Sequence, residues 1–290
     1  MMKASPQNLR FNIQSEEWDY LEFVMNRIHA AEDLNNYQEA GQLLEEVLKK
    51  YPQYQPALHE YANLLMVDTA GHYQTRAIFF TRKMLKLYPK DPFFHYLMGM
   101  HFVLHPKPAY RPRGIKYLRA AVRLDPEMMM GWWGMGYYYL VKGEFAAARR
   151  YLMKAFHCGF QFQPSDIEDE LDITEMPPNV LIHDLADCYE NLGQISESIE
   201  YRKLEIISDP YHSAGYRALA ESYENKLMWK DALLVWEEML AKVTPETRYQ
   251  CRIDWEFIPR GLDDISRDLA KARRRIPVLK RKLKSLPQEY

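Results

Sequence analysis

The chain has 290 residues, enough for one large domain or two ordinary ones. Hydrophobic residues make up 47% and charged residues 27%, a globular composition that excludes a disordered body. A formal net charge of −2 excludes a global basic field for nucleic acid, and the three cysteines (Cys158, Cys188 and Cys251), far apart and without C-x-x-C spacing, exclude a disulfide framework or a cysteine zinc site.

In chain order, residues 1–14 read as a tail. They contain no apolar signal core, so the expected location is the cytoplasm, with reduced thiols. Only 12 glycines, with abundant Leu, Ala, Glu and Lys, predict helices from residue 15 onward. Proline then marks a period: "KKYP" ends at Pro52, "KLYP" at Pro89 and "RLDP" at Pro126, at intervals of 37, and "ISDP" at Pro210 precedes "KVTP" at Pro245 by 35. Each proline closes a helix that it cannot extend.

The clearest unit begins in "MMMGWWGMGYYYL", Met128 to Leu140. It sets Trp132, Met135, Gly136 and Tyr139 before Gly143, then Ala148, Leu152 and Ala155. The frame recurs at Leu58, Tyr61, Ala62, Leu65, then Ala77, Thr81 and Met84. It returns at His95, Met98, Gly99, Phe102, then Gly114, Leu118 and Ala121. Later copies run Ile182, Leu185, Ala186, Tyr189, Gly193, Ser198, and Tyr216, Leu219, Ala220, Tyr223, Ala232, Trp236, Met239. An N-terminal copy is weak in its first helix and clear in its second at Ala40, Leu44 and Val47. Large residues at i, i+3 and i+7 make one helical face, and the small residue among them admits the second helix.

This frame resembles the tetratricopeptide repeat, W-x2-L-G-x2-Y followed by A-x3-F and P, over residues 15–245. The resemblance implies an all-α, right-handed superhelical solenoid of six or seven helical hairpins over 15–261. His95, Thr81 and Arg202 depart from it, standing where the family usually has an aromatic or apolar residue. Two stretches break the period. Residues 163–179 form an acidic insertion with six Asp/Glu and no basic residue; 247–258 alternates like a strand but is taken as a degenerate first helix of a seventh hairpin. Residues 262–290 predict a basic amphipathic helix with a stripe at Ile265, Leu269, Ala272, Ile276, Leu279, Leu283 and Leu286, kinked or divided by Pro277. Its simplest role is to cap the solenoid.

No catalytic motif appears: no G-x-S-x-G, H-E-x-x-H, Walker A, or G-x-G-x-x-G after a strand. His101 and His105, four apart, lack further ligands, so neither a metal nor any other cofactor is expected. No stretch is long and apolar enough to predict a transmembrane segment.

The family resemblance implies instead a concave face, lined by the first helices, that binds a protein segment. Carried over position by position, the groove places hold His59, Glu60 and Asn63, then Phe93, Tyr96, Leu97 and Met100, then Met130, Trp133, Gly134 and Tyr137. His183, Asp184, Asp187 and Glu190 follow, then Arg217, Glu221 and Glu224. The expectation is an aromatic and Met-rich middle, anchored by Trp133, Tyr137, Tyr96 and Phe93, and an acidic C-terminal half. An exposed cluster of this size, roughly 400 Å², requires a cover: a partner, the protein's own chain, or interior packing.

The partner so implied is an apolar helix or an extended segment of another protein, carrying basic residues, with a weak homodimer as a further option. The acidic-tail clamp that some family members use is not expected, because Leu97, Met130 and Gly134 occupy its places. The competing reading is a regulatory protein acting through the basic helix, with Lys271, Arg273, Arg274, Arg275, Lys280, Arg281 and Lys282 meeting an acidic partner, a membrane surface or, without sequence specificity, nucleic acid.

Overall fold

The structure is a computed structural model that describes residues 15–33, 36–67, 73–158, 179–244, 247 and 265–285. Among these residues all regular structure is helical. The tail, most of the acidic insertion and nearly all of 247–258 lie outside the described residues. The chain forms two compact units, Met1–Tyr73 and Gln74–Tyr290.

The first unit holds α1 (Ser15–Asp33), α2 (Tyr37–Lys50) and α3 (Gln55–Val67). Leu21, Val24, Met25, Ile28 and Ala31 form the inward stripe of α1, packed with Ala40, Leu43, Leu44 and Val47 of α2. The Asn36 side chain caps α2 by accepting from the Glu39 N–H.

The second unit takes in α4 (Tyr73–Leu87) from its second residue and continues as hairpins: α5 (Pro92–Val103) with α6 (Gly114–Leu124), α7 (Met129–Leu140) with α8 (Phe145–His157), α9 (Asn179–Asn191) with α10 (Ile195–Ser208), and α11 (Ser213–Asn225) with α12 (Trp229–Lys242). The extra residues between α5 and α6 form a 3-10 turn, Pro108–Arg113. The first helices touch across hairpins, α5 on α7 and α7 on α9, with no comparable contact between second helices among the described residues. This is the side-by-side stacking of a solenoid.

Four local devices repeat with the sequence frame. A Cβ on Gly99 would lie 2.6 Å from Leu118 Cγ, and one on Gly136 would lie 2.6 Å from Leu152 Cγ. The small residue is therefore what lets each second helix close. Aromatic rings stack between the helices of a pair, as Phe102–Tyr117, Tyr139–Tyr151 and Tyr189–Tyr201, at centroid distances of 5.8, 5.3 and 5.1 Å.

The closing prolines are also tethered. Trp132 Nε1–H donates to the Pro126 carbonyl at 2.8 Å and the Tyr216 hydroxyl to that of Pro210 at 3.2 Å. His95 Nε2 makes the same bond to Pro89 at 2.9 Å. This explains the His95 departure: the histidine keeps the donor that Trp and Tyr supply elsewhere. Fourth, Gly143 and Gly193 end their helices at φ +75. The Glu144 N–H donates to Tyr139 O and the Gln194 N–H to Tyr189 O, the six-to-one closure of a helix C-terminus. Leu227, at φ 60, holds the same place in the next hairpin, with Met228 N–H on Tyr223 O.

The other two departures are partnered as well. Thr81 Oγ1 and His101 Nε2 lie 3.0 Å apart in the interior. Arg202, 3% exposed at its side chain, faces Glu205, Asp187 and Glu190.

Helix α13 (Ile265–Ser285) packs on α11 and α12, burying Ile265, Leu269, Ala272 and Leu279 against Tyr216, Trp236 and Met239. It covers apolar surface of the last described hairpin. Of the expected kink or division at Pro277, the division does not occur: α13 runs as one helix through it. The apolar stripe on both sides of the proline is held by the last hairpin, which outweighs one missing N–H. No helix among the described residues is long and apolar enough to cross a membrane.

Candidate functional site

The residues expected to anchor a partner in the middle of the groove are interior. Tyr96, Leu97 and Trp133 are 0% exposed, Met100 1% and Phe93 8%. Glycines are the reason. A Cβ on Gly134 would meet Leu118 Cδ2 at 2.8 Å and Met100 Sδ at 3.1 Å, and one on Gly131 would meet Val122 Cγ1 at 2.8 Å. With three glycines α7 closes on its neighbours, and the space a groove would occupy is filled by the large side chains themselves. Trp133 donates its indole N–H to Asp184 Oδ2 on α9 at 2.9 Å, and its ring stacks on Tyr137 at 5.4 Å. Asp184, 1% exposed, is thus an interior acceptor and not part of an acidic rim. Burial also pushes the Tyr96 hydroxyl far above its usual value. Of the middle cluster only Met130 and Tyr137 reach the surface in part.

The C-terminal half differs. His183, Asp187 and Glu190 on α9, and Arg217, Glu221 and Glu224 on α11, share one spacing, i, i+4 and i+7, and all remain partly exposed. Helical geometry puts each trio on one face. Below the α9 trio lies a buried charge network. His183 Nδ1 is 2.8 Å and His212 Nδ1 3.4 Å from Glu205 Oε1, and Arg202 Nη1 is 3.1 Å from Glu205 Oε2. Burial alone would raise the Glu205 carboxyl, but His183, His212 and Arg202 outweigh it and hold the group well below its usual value.

Helix α13 adds the third face. Lys271 pairs with Glu221 and Arg275 with Glu224, Lys280 Nζ is 2.7 Å from Glu237, and Lys282 Nζ sits 3.8 Å above the Trp229 ring. Four of the seven expected basic contacts therefore bind the last hairpin. Among the described residues Arg274 and Arg281 reach only their own helix carbonyls, Ala270 and Pro277, and Arg273 is exposed. Burial works against the Glu224 charge, yet hydrogen bonds from Arg275 and Trp236 hold it below its usual value.

Between α11 and α13 lies a cavity of about 680 Å³ lined by Arg217, Arg267, Asp268, Lys271, Arg274, Arg275 and Val278. Asp268, 1% exposed, accepts from the Ser213 hydroxyl at 3.1 Å and has Arg217 Nε at 3.0 Å. Arg267 and Asp268 were not singled out from the sequence. The signal was there: 267, 271 and 274 repeat the spacing i, i+4, i+7.

Other chemistry is sparse. His101 is buried against Thr81, whereas His105 Nδ1 accepts from the Lys107 N–H at 3.0 Å, so the two do not converge. Among the described residues, His29, Glu32 and Glu60 are the group with ligand atoms mutually within 4.8 Å. His29 Nε2 lies 4.0 Å from Glu60 Oε1, an ion-pair distance for an exposed histidine beside acids. Burial pushes the Cys188 thiol up to about 12, so it is no nucleophile at neutral pH.

No protein-family model matches the chain, and no curated protein matches it. Solved structures do. Cut9, in the crystal structure of the APC/C hetero-tetramer Cut9-Hcn1, superposes with a TM-score of 0.60 at 16% identity, over 82% of this chain and 40% of that one. TTC0263, a thermophilic TPR protein of Thermus thermophilus, gives 0.54 at 17% identity over 69% of this chain and 97% of its own. Human IFIT1, in a dimer with m7Gppp-AAAA, gives 0.53 at 17% over 71% of this chain and 46% of its own. The chain thus spans less than half of Cut9 and of IFIT1. These likenesses establish the fold: an all-α, tetratricopeptide-type repeat.

Proposed function

We propose that this chain, with the fold of the tetratricopeptide-repeat proteins, is a non-enzymatic cytoplasmic scaffold that docks a segment of a partner protein. Docking is on the first-helix face of the C-terminal hairpins, through charged side chains. The observation that carries this reading is the repeated stripe of partly exposed charge, His183–Asp187–Glu190 on α9 and Arg217–Glu221–Glu224 on α11, continued by α13. These side chains make ion pairs within the fold and still remain partly exposed, and charged faces of this kind give a partner its register and speed its encounter. The buried Phe93–Trp133 cluster supports the solenoid from within. The engagement of Lys271, Arg275, Lys280 and Lys282 by the last hairpin favours this reading over a basic helix that works by itself on membranes.

Photo-reactive side chains placed at Glu190 and Tyr137, and separately at Glu200 and Glu237 on second helices, test it. Partner cross-links should form from Glu190 and Tyr137. Cross-links confined to Glu200 or Glu237 overturn the reading.

A further inference from the structure

We propose that the second helices α4 and α6 present a basic face that docks the protein on an anionic lipid bilayer, with cations at the headgroups and exposed apolar side chains at the acyl boundary. Residues 74–124 carry eleven Lys/Arg and one acid, Asp91, in a chain whose net charge is −2. Asp91 is buried and caps α5 by accepting from the Phe93 N–H at 2.9 Å.

The charge follows the repeat. Arg82 and Lys86 on α4 recur 37 residues later as Arg119 and Arg123 on α6. In the other repeats the frame puts Glu45, Met153 or Glu237 at the first of these places, or Ile207 at the second. All four cations are exposed, and none makes an ion pair among the described residues. Both helices are fixed on α5: Thr81 Oγ1 lies 3.0 Å from His101 Nε2, and Leu118 packs where Gly99 leaves no Cβ.

Apolar side chains share these stripes. Phe79, one turn before Lys83, is 70% exposed. Leu87 and Leu124, 59% and 42% exposed, end their helices directly after Lys86 and Arg123. Cations beside exposed hydrocarbon suit the boundary where headgroup phosphates meet acyl chains. Clusters of Lys and Arg gather on anionic leaflets within about one Debye length, roughly 8 Å at physiological salt.

The same features select a bilayer over nucleic acid. Phosphodiesters would meet the cations, but the two leucines offer nothing for a base to stack on. The tyrosines beside them are already covered. Tyr117 stacks on Phe102 at 5.8 Å with Lys116 at 4.7 Å, and Tyr110 has His105 at 4.4 Å and Arg113 at 4.7 Å. The face is built from second helices, so it leaves the first-helix face for the partner protein. Failure of either proposal leaves the other standing.

The test is co-sedimentation of the full chain with vesicles of phosphatidylcholine, alone or with about 30% phosphatidylserine. The chain should bind the anionic vesicles only, and less as salt rises. Arg82→Gln with Lys86→Gln, and separately Arg119→Gln with Arg123→Gln, should each weaken binding by about tenfold or more. Leu87→Ser with Leu124→Ser should weaken it by roughly threefold and leave its salt dependence unchanged. The changed side chains are exposed, so the fold is kept, as melting curves would verify. Arg273→Gln with Arg281→Gln, the same charge change on α13, should bind as wild type does.

Absence of binding to the anionic vesicles overturns the proposal. So does an equal loss in the α13 variant, which would assign the contact to the basic C-terminal helix, or wild-type binding by the leucine variant. Binding of a uridine oligonucleotide through the same cations, with no vesicle binding, would assign the face to nucleic acid instead.

Discussion

The indole N–H of Trp133 on α7 donates to the carboxyl of Asp184 on α9 at 2.9 Å, and neither side chain is more than 1% exposed. One hydrogen bond thus ties consecutive first helices inside the solenoid. Trp133→Ala should lower stability by about 3–5 kcal/mol through the cavity it leaves. Trp133→Phe keeps most of the volume and removes one donor, for a loss of about 1–3 kcal/mol. Urea unfolding checks both; an unchanged midpoint in Trp133→Ala would mean the indole is not core.

Leu227 stands at φ 60 where the equivalent hairpins use Gly143 and Gly193. A left-handed conformation disfavours a side chain by about 1–2 kcal/mol, partly offset by the chain entropy that glycine brings. Leu227→Gly should therefore stabilise by about 0.5–1 kcal/mol, and Gly193→Ala should destabilise by about 1 kcal/mol. Leu227 is 67% exposed, so little packing is lost. Opposite signs in thermal unfolding would contradict the turn assignment.

Burial lowers His101 from 6.5 to about 4, with Thr81 as its near neighbour. Between pH 6.5 and 4 the unfolded chain therefore takes up a proton that the folded one refuses. Stability is intact above pH 6.5 and falls as the pH drops toward 4, by roughly 3 kcal/mol from this residue. In His101→Gln this component of the pH dependence should vanish. Denaturant midpoints of both proteins at pH 7 and pH 4.5 decide it; parallel losses would mean His101 is protonated in the folded state.

Arg202 and Glu205 are charged groups with 3% and 0% exposed side chains. Arg202→Ala leaves the Glu205 carboxylate buried with less compensation and should cost about 3–5 kcal/mol. Replacing both, as Arg202→Met with Glu205→Leu, should recover much of that loss. A double-mutant cycle on unfolding free energy measures the coupling, and additive effects would show the two to be independent.

The fold was legible because its causes are local and periodic. Pro52, Pro89 and Pro126 mark helix ends, and Gly99 and Gly136 mark close approaches. The departures hid their compensations. Thr81 answers His101 twenty residues on, and Arg202 answers acids on two helices, distances that a single repeat frame does not encode. Which candidate site positions are exposed was legible only in part. Phe93, Tyr96, Leu97, Met100 and Trp133 follow the groove spacing but are interior, because Gly131 and Gly134 draw α7 onto Leu118, Val122 and Met100. Spacing tells which way a residue points along a helix; how near the next helix stands depends on residues in other repeats. The charged positions 187, 217 and 221 stay partly exposed, whereas Asp184, on the same helix as 187, is buried because the Trp133 indole supplies its hydrogen bond.

The measurement that bears most directly on the docking claim is the dissociation constant of the partner segment recovered by cross-linking. It should be compared across wild type, the face variant Glu190→Ala with Glu221→Ala, the second-helix variant Glu200→Ala with Glu237→Ala, and Trp133→Phe. A charged first-helix face predicts at least a tenfold loss, about 1.4 kcal/mol, in the face variant alone. Equal affinity in wild type and the face variant, with the loss in the second-helix variant or in Trp133→Phe, would contradict it.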